Sequence, residues 1–494
     1  MPEEIRSLIV ILVVATALFF FARKSACSIT NANDFYRRRN IWFLLTIAAF
    51  VGHDFWIYAS VAITFLLILN QREPNPPALF FFILFVLPVS PIQIPGMGLI
   101  NYFFELSHAR LLELFILLPA FLSILRRGDT ISFGRTGPDK ALAGYLCLTA
   151  ALFLRDPNIT NASRQVFYLF IDVFLPYFVI SRSLKNLPAF RDTLVSLVLA
   201  IMVIALLASF EFYKGWLLYS AVSEMLGPTG GITAYLPRDG LLRAVVTTGQ
   251  PIALGYLMVI GLGIYIFIQR FIHQKLVRRI GMVILIVGLF VPLSRGPWLG
   301  AAALFVTFVA TGRYAVRRFM TTALATILVL PLVSILPGGE RMTNLLPFIG
   351  STDQENVEYR EKLITNSIIV IKRNPFFGSI DYSKAPEMES MRQGQGIIDI
   401  VNSYIQVALD AGLIGLGLFV AFFAMTLYGI RRALHSIPDK DSEEHLLGRA
   451  LFSTQLAILL IIFSVSSITI IPIMYWSVAG MGVAYAQMIR KKAV

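Results

Sequence analysis

Long apolar runs recur along the whole chain, with short polar stretches between them. Many runs have about 17–25 residues, the length that an α-helix needs to cross a hydrocarbon core of roughly 30 Å. Lipid offers no hydrogen-bond partners, so a spanning segment must satisfy its own backbone groups. The alternating segments of about 10 residues that a membrane β-barrel requires do not occur. The pattern therefore predicts an all-α polytopic membrane protein.

Basic clusters separate these runs, and cytoplasmic loops of membrane proteins collect Lys and Arg. From the third cluster onward, even numbers of spans lie between clusters, which predicts that segments 213–248 and 338–402 are outer. The stretch 41–70 keeps this parity if it bends at Gly52-His53-Asp54 into two short helices. We predict one integral membrane domain, 1–494, with about 12–15 transmembrane helices. The clusters are Arg23–Arg39, Arg126–Lys140, Arg182–Arg191, Arg270–Arg279, Arg313–Arg318, Arg431–Arg449 and Arg490–Lys492.

Composition supports this class. Hydrophobic residues make up 57% of the 494 residues and charged residues only 14%, whereas soluble domains carry about 25% charged residues. The net charge of +13 would suit a nucleic-acid partner, but the positive-inside bias explains it, so we predict no nucleic-acid binding. The two cysteines, Cys27 and Cys147, are too few for a disulfide framework. No outer Asp-x-Asp or histidine-rich cluster is present, so we predict no metal and no cofactor.

The outer segment 338–402 contains a predicted amphipathic helix. Loops longer than about 12–15 residues are usually functional or disordered, and apolar residues in the stretch from Val357 to Lys372 recur at helical spacing. We expect this helix to lie along the membrane surface or to pack over a cavity. The positions expected on its apolar face are Leu363, Ile364, Ile368 and Ile371.

Three arginines are predicted on the outer face, where the positive-inside bias should remove them. Arg243 lies at the inner end of segment 213–248, Arg295 lies in a short turn between two spans, and Arg360 opens the amphipathic helix. A guanidinium near the bilayer requires an anion or a water-filled cavity, and it binds phosphate through two parallel hydrogen bonds. Several arginines that converge would suit a pyrophosphate. The alternative for each is snorkelling to a lipid headgroup or a loop salt bridge.

Four segments between about residues 240 and 420 carry a resemblance to one family. The segments are Leu293–Gly300 (LSRGPWLG), Asn374–Gly378 (NPFFG), Asn402–Gln406 (NSYIQ) with Ala411–Gly415 (AGLIG), and Arg243–Pro251. In this order they resemble the Ser-Arg-Gly-x-Trp-Leu, Pro-x-x-Gly, His-Asn-Ser-Tyr-Leu-Gln with Gly-Leu-Ile-Gly, and Arg-x-x-Gly-x-x-x-x-Pro segments of the bacterial O-antigen ligase and Wzy-type polymerase superfamily.

The resemblance implies a GT-C-like membrane fold and a metal-independent glycosyltransferase. Its donor would be a polyprenyl-pyrophosphate-linked oligosaccharide, delivered to the periplasmic face of the bacterial inner (cytoplasmic) membrane. The catalytic candidates are Arg295, Asp399 and Arg243. The substrate-binding candidates are Arg360, Asn402, Tyr404 and Gln250.

One position departs from the family pattern. Val401 stands where the family has a histidine before Asn-Ser, and a valine cannot accept a proton from the acceptor hydroxyl. Asp399, two positions upstream, is the substitute base that we predict, although it could instead be a solvated acid that caps the next helix. The fallback candidates are Asp381, Glu387, Glu389, His53 and His108.

The product remains open between two reactions of this kind. A polymerase would join lipid-linked repeats into exopolysaccharide, capsule or O-antigen, and a ligase would move the finished glycan onto lipid A core; the missing histidine favours the polymerase. A lipid-linked sugar flippase or transporter is a further alternative, but such proteins often carry charges at the bilayer midplane. Here Asp172 and Glu211 are the most central ionisable residues. The expected partners are the lipid-linked donor, a glycan acceptor, membrane lipid and other polysaccharide assembly proteins.

Overall fold

The structure is a computed structural model in which the chain forms two compact units. The described residues are 2–70, 73–88, 90–98, 100–128, 130–227, 237–238, 240–313, 354–393, 396–468 and 470–492. The first unit comprises Met1–Phe133, Val166–Ser294 and Thr469–Val494, and the second comprises Gly134–Gln165 and Arg295–Ile468. The single membrane domain over 1–494 stays a prediction.

Helices dominate both units. In chain order they are α1 (Glu3–Ile29), α2 (Ala32–Val51), α3 (Phe55–Asn70), α4 (Pro76–Ile83), α5 (His108–Leu112), α6 (Leu118–Arg127), α7 (Gly137–Phe153), α8 (Ile159–Tyr168), α9 (Leu175–Ser183), α10 (Leu187–Lys214), α11 (Ser220–Leu226), α12 (Pro251–Ile268), α13 (Lys275–Phe290), α14 (Arg295–Ala310), α15 (Gln354–Arg373), α16 (Pro386–Glu389), α17 (Ser403–His435), α18 (Glu443–Ile461) and α19 (Ile471–Lys492).

A few shorter elements accompany these helices. The strands form two antiparallel pairs, β1 (Ile92–Pro95) with β2 (Tyr102–Leu106) and β3 (Pro237–Arg238) with β4 (Leu241–Leu242). The π-helical turns are Glu113–Leu117 and Leu169–Phe174, and the 3-10 turns are Gln269–Phe271, Tyr382–Lys384 and Ile462–Ser464.

Long apolar helices confirm the predicted all-α polytopic membrane protein. Seven helical segments of the described residues are long and apolar enough to cross a membrane. The total of about 12–15 spans stays a prediction, and the span expected near 319–336 lies outside the described residues. The seven are Glu3–Ile29, His108–Arg127, Ile159–Ser183, Leu187–Lys214, Pro251–Phe271, Ser403–His435 and Glu443–Ser464.

Helix α10 is the buried centre of the first unit. Asn186 caps its N-terminus by accepting a hydrogen bond from Ala189 N, and Gly215 ends it in a left-handed conformation (φ 62°). The helix packs against α1, α4, α12 and α13. Gly288 of α13 allows close approach, because a Cβ added there would lie 2.8 Å from Ala205 Cβ. Small residues of this kind let membrane helices gain van der Waals contact.

The bend predicted within 41–70 is present between α2 and α3. His53 adopts a positive φ of 50°, and Asp54 Oδ1 accepts a hydrogen bond from Trp56 N at 2.7 Å at the start of α3. The reversal is therefore built from local side-chain capping of the second helix.

The position predicted for Arg295 requires a correction. Helix α13 ends at Phe290, and Arg295 is the first residue of α14 rather than a member of a four-residue turn. The helix extends back to Arg295 because Pro297, expected to open the next span, is tolerated in the first turn, where its missing N–H would have no intrahelical partner. The turn between the two helices comprises residues 291–294, and Leu293 within it has a positive φ of 50°.

The predicted amphipathic helix exists as α15, and its predicted apolar positions divide between a buried side and an exposed side. Leu363 is buried and Ile371 is partly buried, as expected, whereas Ile364 and Ile368 are exposed. The buried face continues through Ser367 and Val370, and it packs on a small core whose other members are Met388, Met391, Ile400 and Leu409. The helix carries two apolar stripes, and helical spacing alone does not show which of them packs on other parts of the protein.

Helix α17 is broken at Gly412, whose φ of 68° and ψ of −171° are not helical. The backbone of the turn Asn374–Gly378 fills the break: Leu413 N donates to Pro375 O at 2.7 Å, and Ile414 N donates to Phe376 O at 3.4 Å. A Cβ at Gly412 would collide with the backbone of Phe376. This break therefore requires a glycine, and it explains why the NPFFG and AGLIG segments occur together.

Candidate active site

Arg243 is held against the turn that precedes α14. The hairpin β3–β4 leads directly into it, and its guanidinium donates from Nε to Pro292 O at 3.1 Å and from Nη2 to Ser294 Oγ at 2.9 Å. Arg238, on β3, donates to Leu293 O of the same turn. Two arginines of segment 213–248, Arg238 and Arg243, therefore donate hydrogen bonds to the turn Pro292–Ser294.

The charge of Arg243 is not matched by a carboxylate in the part of the chain that the structure describes; its hydrogen-bond acceptors are neutral. Burial, together with the nearby positive charge of Arg238, lowers the pKa of Arg243 to about 10. Two like charges near one turn repel each other, and bound phosphate would remove that repulsion. The arrangement is therefore suited to an anion.

Two strained residues lie next to the candidate arginines. Val246, three residues after Arg243, has a φ of 48°, and Leu293, two residues before Arg295, has a φ of 50°. A positive φ is a genuine outlier for a β-branched or bulky residue, and such strain persists where surrounding structure enforces it, often at functional sites. Both outliers fit a functional turn.

Asp172, one of the two acids expected near the middle of the membrane, has a local partner. Arg110 donates to its two oxygens from Nε at 3.1 Å and from Nη2 at 2.9 Å. The same guanidinium lies over the ring of Tyr168, 3.7 Å from the ring centroid. This ion pair within the first unit gives Asp172 a structural role that requires no transported ion.

In the second unit, Asp399 lies in the chain segment just before α17. Ile398 and Ile400 pack into the small core beneath α15, while the Asp399 carboxylate accepts a hydrogen bond at Oδ1 from Ser466 Oγ. The Asp399 carbonyl accepts a further bond from Tyr359 Oη at 3.1 Å. Asp399 is therefore fixed at main chain and side chain, and it does not cap α17.

Arg360 is brought near Asp399. Its side chain lies on the exposed side of α15. Desolvation lowers the pKa of Arg360, and the negative charge of Asp399 opposes that shift. The same carboxylate raises the pKa of Tyr359, after the larger effect of desolvation. A cation, an acid and a phenol thus lie within electrostatic reach of each other in this unit.

The other substrate-binding candidates have structural contacts. Asn402 caps α17, since its Oδ1 accepts from Tyr404 N at 2.9 Å and from Ile405 N at 3.1 Å. Tyr404 Oη donates to Leu459 O at 3.0 Å. Gln250, in the first unit, is the residue before α12 and makes no side-chain capping bond. Their binding roles stay predictions.

The fallback acids and histidines are held by neighbouring groups or lie elsewhere. The three acids each form an ion pair with a basic residue close in sequence, and His53 lies in the bend between α2 and α3. His108 is buried, with Nδ1 at 2.6 Å from Tyr58 Oη and Nε2 at 2.9 Å from Ile83 O. The ion pairs are Asp381–Lys384, Glu387–Arg373 and Glu389–Arg392.

The sequence candidates fall into two groups, Arg243 and Gln250 in the first unit and the other five in the second. Their meeting in one cavity stays a prediction. Sequence reasoning missed Arg238, whose signal is the same as that of Arg243, namely an arginine in segment 213–248. It also missed Ser294 and Ser466. Ser294 is part of the segment Leu293–Gly300 that resembles the family, and Ser466 belongs to a serine-rich stretch between the last two apolar runs.

Residues 280–420 match the O-antigen ligase family, Wzy_C. The matched region begins within α13 and ends within α17, and it includes Arg295, Arg360, Asp399 and the broken helix. No curated protein matches the chain. The match confirms the resemblance of this region to the O-antigen ligase and Wzy superfamily, whose members are glycosyltransferase-like enzymes, and it supports a function of ligase or polymerase type.

Proposed function

We propose that the protein is a polysaccharide polymerase that transfers a polyprenyl-pyrophosphate-linked oligosaccharide onto an acceptor sugar. The reaction would take place at the periplasmic face of the bacterial inner membrane. The observation that carries the proposal is Arg243, a partly buried cation with neutral hydrogen-bond acceptors, a neighbouring arginine and no carboxylate among the described residues. The O-antigen ligase match over 280–420 supports the same chemistry.

Transfer on a pyrophosphate donor makes a particular demand on the protein. The anomeric carbon already carries a good leaving group, so no acid has to protonate a glycosidic oxygen, as the hydrolases require. The bond from the anomeric carbon to the pyrophosphate oxygen breaks, and negative charge grows on the departing group. Fixed cations aimed at that charge stabilise the transition state. We assign this role to Arg243 and Arg295, with Arg360 binding substrate and no metal required.

The acceptor hydroxyl must lose a proton as its oxygen forms the new glycosidic bond. Asp399 would take that proton, in place of the family histidine that Val401 replaces. The hydrogen bond from Ser466 orients the carboxylate, and a base must lie within hydrogen-bond reach of the proton that it removes. The acceptor hydroxyl would occupy the remaining lone-pair directions of this carboxylate.

The first experiment uses purified protein in lipid and a polyprenyl-pyrophosphate oligosaccharide, with wild type and Arg295→Ala compared. We expect longer glycans and released polyprenyl pyrophosphate from the wild type only. Release without chain growth would identify a ligase that lacks its acceptor. Intact donor moved across the bilayer without bond cleavage would support a flippase and contradict the enzyme.

A second experiment tests the base. Asp399→Asn should lower kcat by about 100-fold with little change in the KM of the donor. Glu361→Gln, an exposed carboxylate next to Arg360, is the matched control. Val401→His, introduced into the Asp399→Asn protein, should restore part of the lost rate. Unchanged kcat in Asp399→Asn would show that the proton leaves by another group.

A further inference from the structure

Glu211 is a fully buried carboxylate near the C-terminal end of α10. Its Oε1 accepts a hydrogen bond from Leu218 N at 2.9 Å, and its Oε2 accepts from Val245 N at 3.1 Å and from Val246 N at 3.0 Å. No basic side chain of the described residues forms an ion pair with it. A buried carboxylate is costly unless hydrogen bonds satisfy it, so these three backbone donors are the reason that it is tolerated.

The three donors connect the helix to the segment that carries Arg243. Val245 and Val246 lie 34 and 35 residues beyond Glu211 in the chain, and Arg243 precedes Val245 by two residues. Ala244 N donates to Val291 O at 3.4 Å. The backbone that follows Arg243 is therefore tied to the end of α13 at one residue and to Glu211 at the next two.

A carboxylate suits this place better than any other side chain of its size. All three neighbours are N–H donors, and an ionised carboxylate offers only acceptors. A glutamine could accept from Val245 and Val246, but its amide would then turn a donor toward Leu218 N. The left-handed conformation of Val246 (φ 48°) also requires an enforcing contact, and Glu211 supplies one.

We propose that Glu211 is a positioning residue that fixes the backbone after Arg243, so that the guanidinium is held in place for the pyrophosphate of the donor. This inference rests on the proposed function. Glu211 touches no substrate atom in this role. It acts through the amides of Val245 and Val246, and preorganised cations of this kind cost no reorganisation when charge develops.

Kinetics of Glu211→Gln and Glu211→Ala in lipid test the role with the same donor. We expect kcat/KM to fall by about tenfold for the glutamine variant and by about 100-fold for the alanine variant, because the first keeps two of three hydrogen bonds. The control is Glu224→Gln, an exposed acid of α11 in the same segment, which should match the wild type. Equal losses in the glutamine and control variants would overturn the proposal.

A double-mutant cycle separates positioning from general stability. In an Arg243→Ala protein, the guanidinium that Glu211 positions is absent, so adding Glu211→Gln should reduce kcat/KM by no more than about twofold. If the two losses multiply, Glu211 acts independently of Arg243 and the proposal fails.

Hydrogen exchange provides a readout that does not depend on catalysis. In Glu211→Gln, amides of residues 241–250 should exchange faster while those in the middle of α10 stay protected. Unchanged exchange at 241–250, or loss of protection along all of α10, would overturn the positioning role. If Glu211→Gln speeds exchange at 241–250 but the wild-type protein transfers no glycan, the role of Glu211 in fixing this backbone stands and the proposed function is contradicted instead.

Discussion

Two arginines of the first unit have opposite surroundings. Arg38, in α2, is 1% exposed and contacts two carboxylates: Nη2 lies 2.6 Å from Glu73 Oε1, and Nη1 lies 2.6 Å from Asp192 Oδ1. Arg243, which is partly buried, donates to a carbonyl and a hydroxyl and has Arg238 as its charged neighbour. The first cation is neutralised by the protein, and the second is not matched by any carboxylate of the described residues.

The effects on ionisation run in opposite directions. Burial alone would lower the pKa of Arg38, but hydrogen bonds and charges from Asp192 and Glu73 raise it above its usual value. Burial and Arg238 both lower the pKa of Arg243. A buried ion pair is complete within the fold, whereas an unmatched cation is most stable with an external anion. The difference separates an arginine that holds helices together from one that we assign to donor binding.

The largest expected effect is on stability. Arg38→Ala should lower the free energy of unfolding by about 3 kcal/mol, because it leaves the partly buried Asp192 without the cation that it contacts and leaves the buried Glu73 with Arg37 as its remaining cationic partner among the described residues. Thermal unfolding in detergent measures this. Arg39→Ala is the control, since the contacts of Arg39 among the described residues are with Asn40 and the ring of Tyr36. An unchanged unfolding temperature for Arg38→Ala would show that Arg38 does not stabilise the fold, and its contrast with Arg243 would then fail.

Arg243→Ala should have the opposite profile, a folded protein without transfer. We expect glycan transfer to fall by about 100- to 1,000-fold, the usual effect of removing one fixed donor to a developing negative charge. The unfolding temperature should stay at or above that of the wild type, because a desolvated cation is removed. Lys214→Ala, an exposed cation near the end of α10, controls for net charge. Loss of folding in Arg243→Ala would show that this arginine is structural as well.

Ser294→Ala sharpens the same assignment with a smaller change. It removes the hydroxyl that accepts from Arg243 Nη2 at 2.9 Å, so the guanidinium loses one of its two anchors. We expect kcat/KM for the donor to fall by about tenfold, the value of one charge-assisted hydrogen bond. Ser220→Ala, whose hydroxyl donates to Leu217 O, should have no effect on kcat/KM. A tenfold loss of kcat/KM in both variants would show that the loss does not come from the hydrogen bond between Ser294 and Arg243.

The smallest effect concerns alkaline pH. The pKa of Arg243 is lowered to about 10, so donor binding should weaken as pH rises through that value and the cation is lost. Arg238→Gln removes one cause of the shift and should move the midpoint to higher pH. The unfolded chain has the higher pKa and binds more protons in this window, so the contribution of Arg243 to stability rises with pH. Donor titration should show weaker binding at high pH while thermal unfolding shows that the protein stays folded. If Arg238→Gln leaves the midpoint of this pH dependence unchanged, repulsion between Arg238 and Arg243 does not lower the pKa of Arg243.

Local rules account for the features that the sequence predicted correctly. Apolar runs became helices because lipid leaves the backbone no other partner, and the bend at His53 was predicted from parity of the spans. Arg243 was selected because a cation near lipid requires a partner, and the structure then placed it against the turn Pro292–Ser294. The motif glycine Gly412 proved to be a position where two backbones meet.

Contacts between distant residues could not be predicted in this way. Ser466 lies 67 residues from Asp399, and no periodicity connects the two. The same holds for Glu211 and the amides that it binds. Spacing in α15 predicted helical structure but could not show which apolar residues other parts of the protein cover. Met388 and Met391, from the following chain, pack with Leu363 and Val370, whereas Ile364 and Ile368 stay exposed.

The break in α17 has a consequence for biogenesis. Ser379 N donates to Leu409 O at 2.8 Å, and the amides after Gly412 bond to carbonyls of the turn Asn374–Gly378. These groups of α17 stay unsatisfied until that turn has docked, and an unsatisfied backbone group in lipid costs several kcal/mol. The turn is synthesised before α17, so it is already available when the two half-helices leave the translocation machinery. We therefore expect stable insertion of α17 to depend on docking of the turn Asn374–Gly378, so Gly412→Ala should lower the yield of folded protein in the membrane.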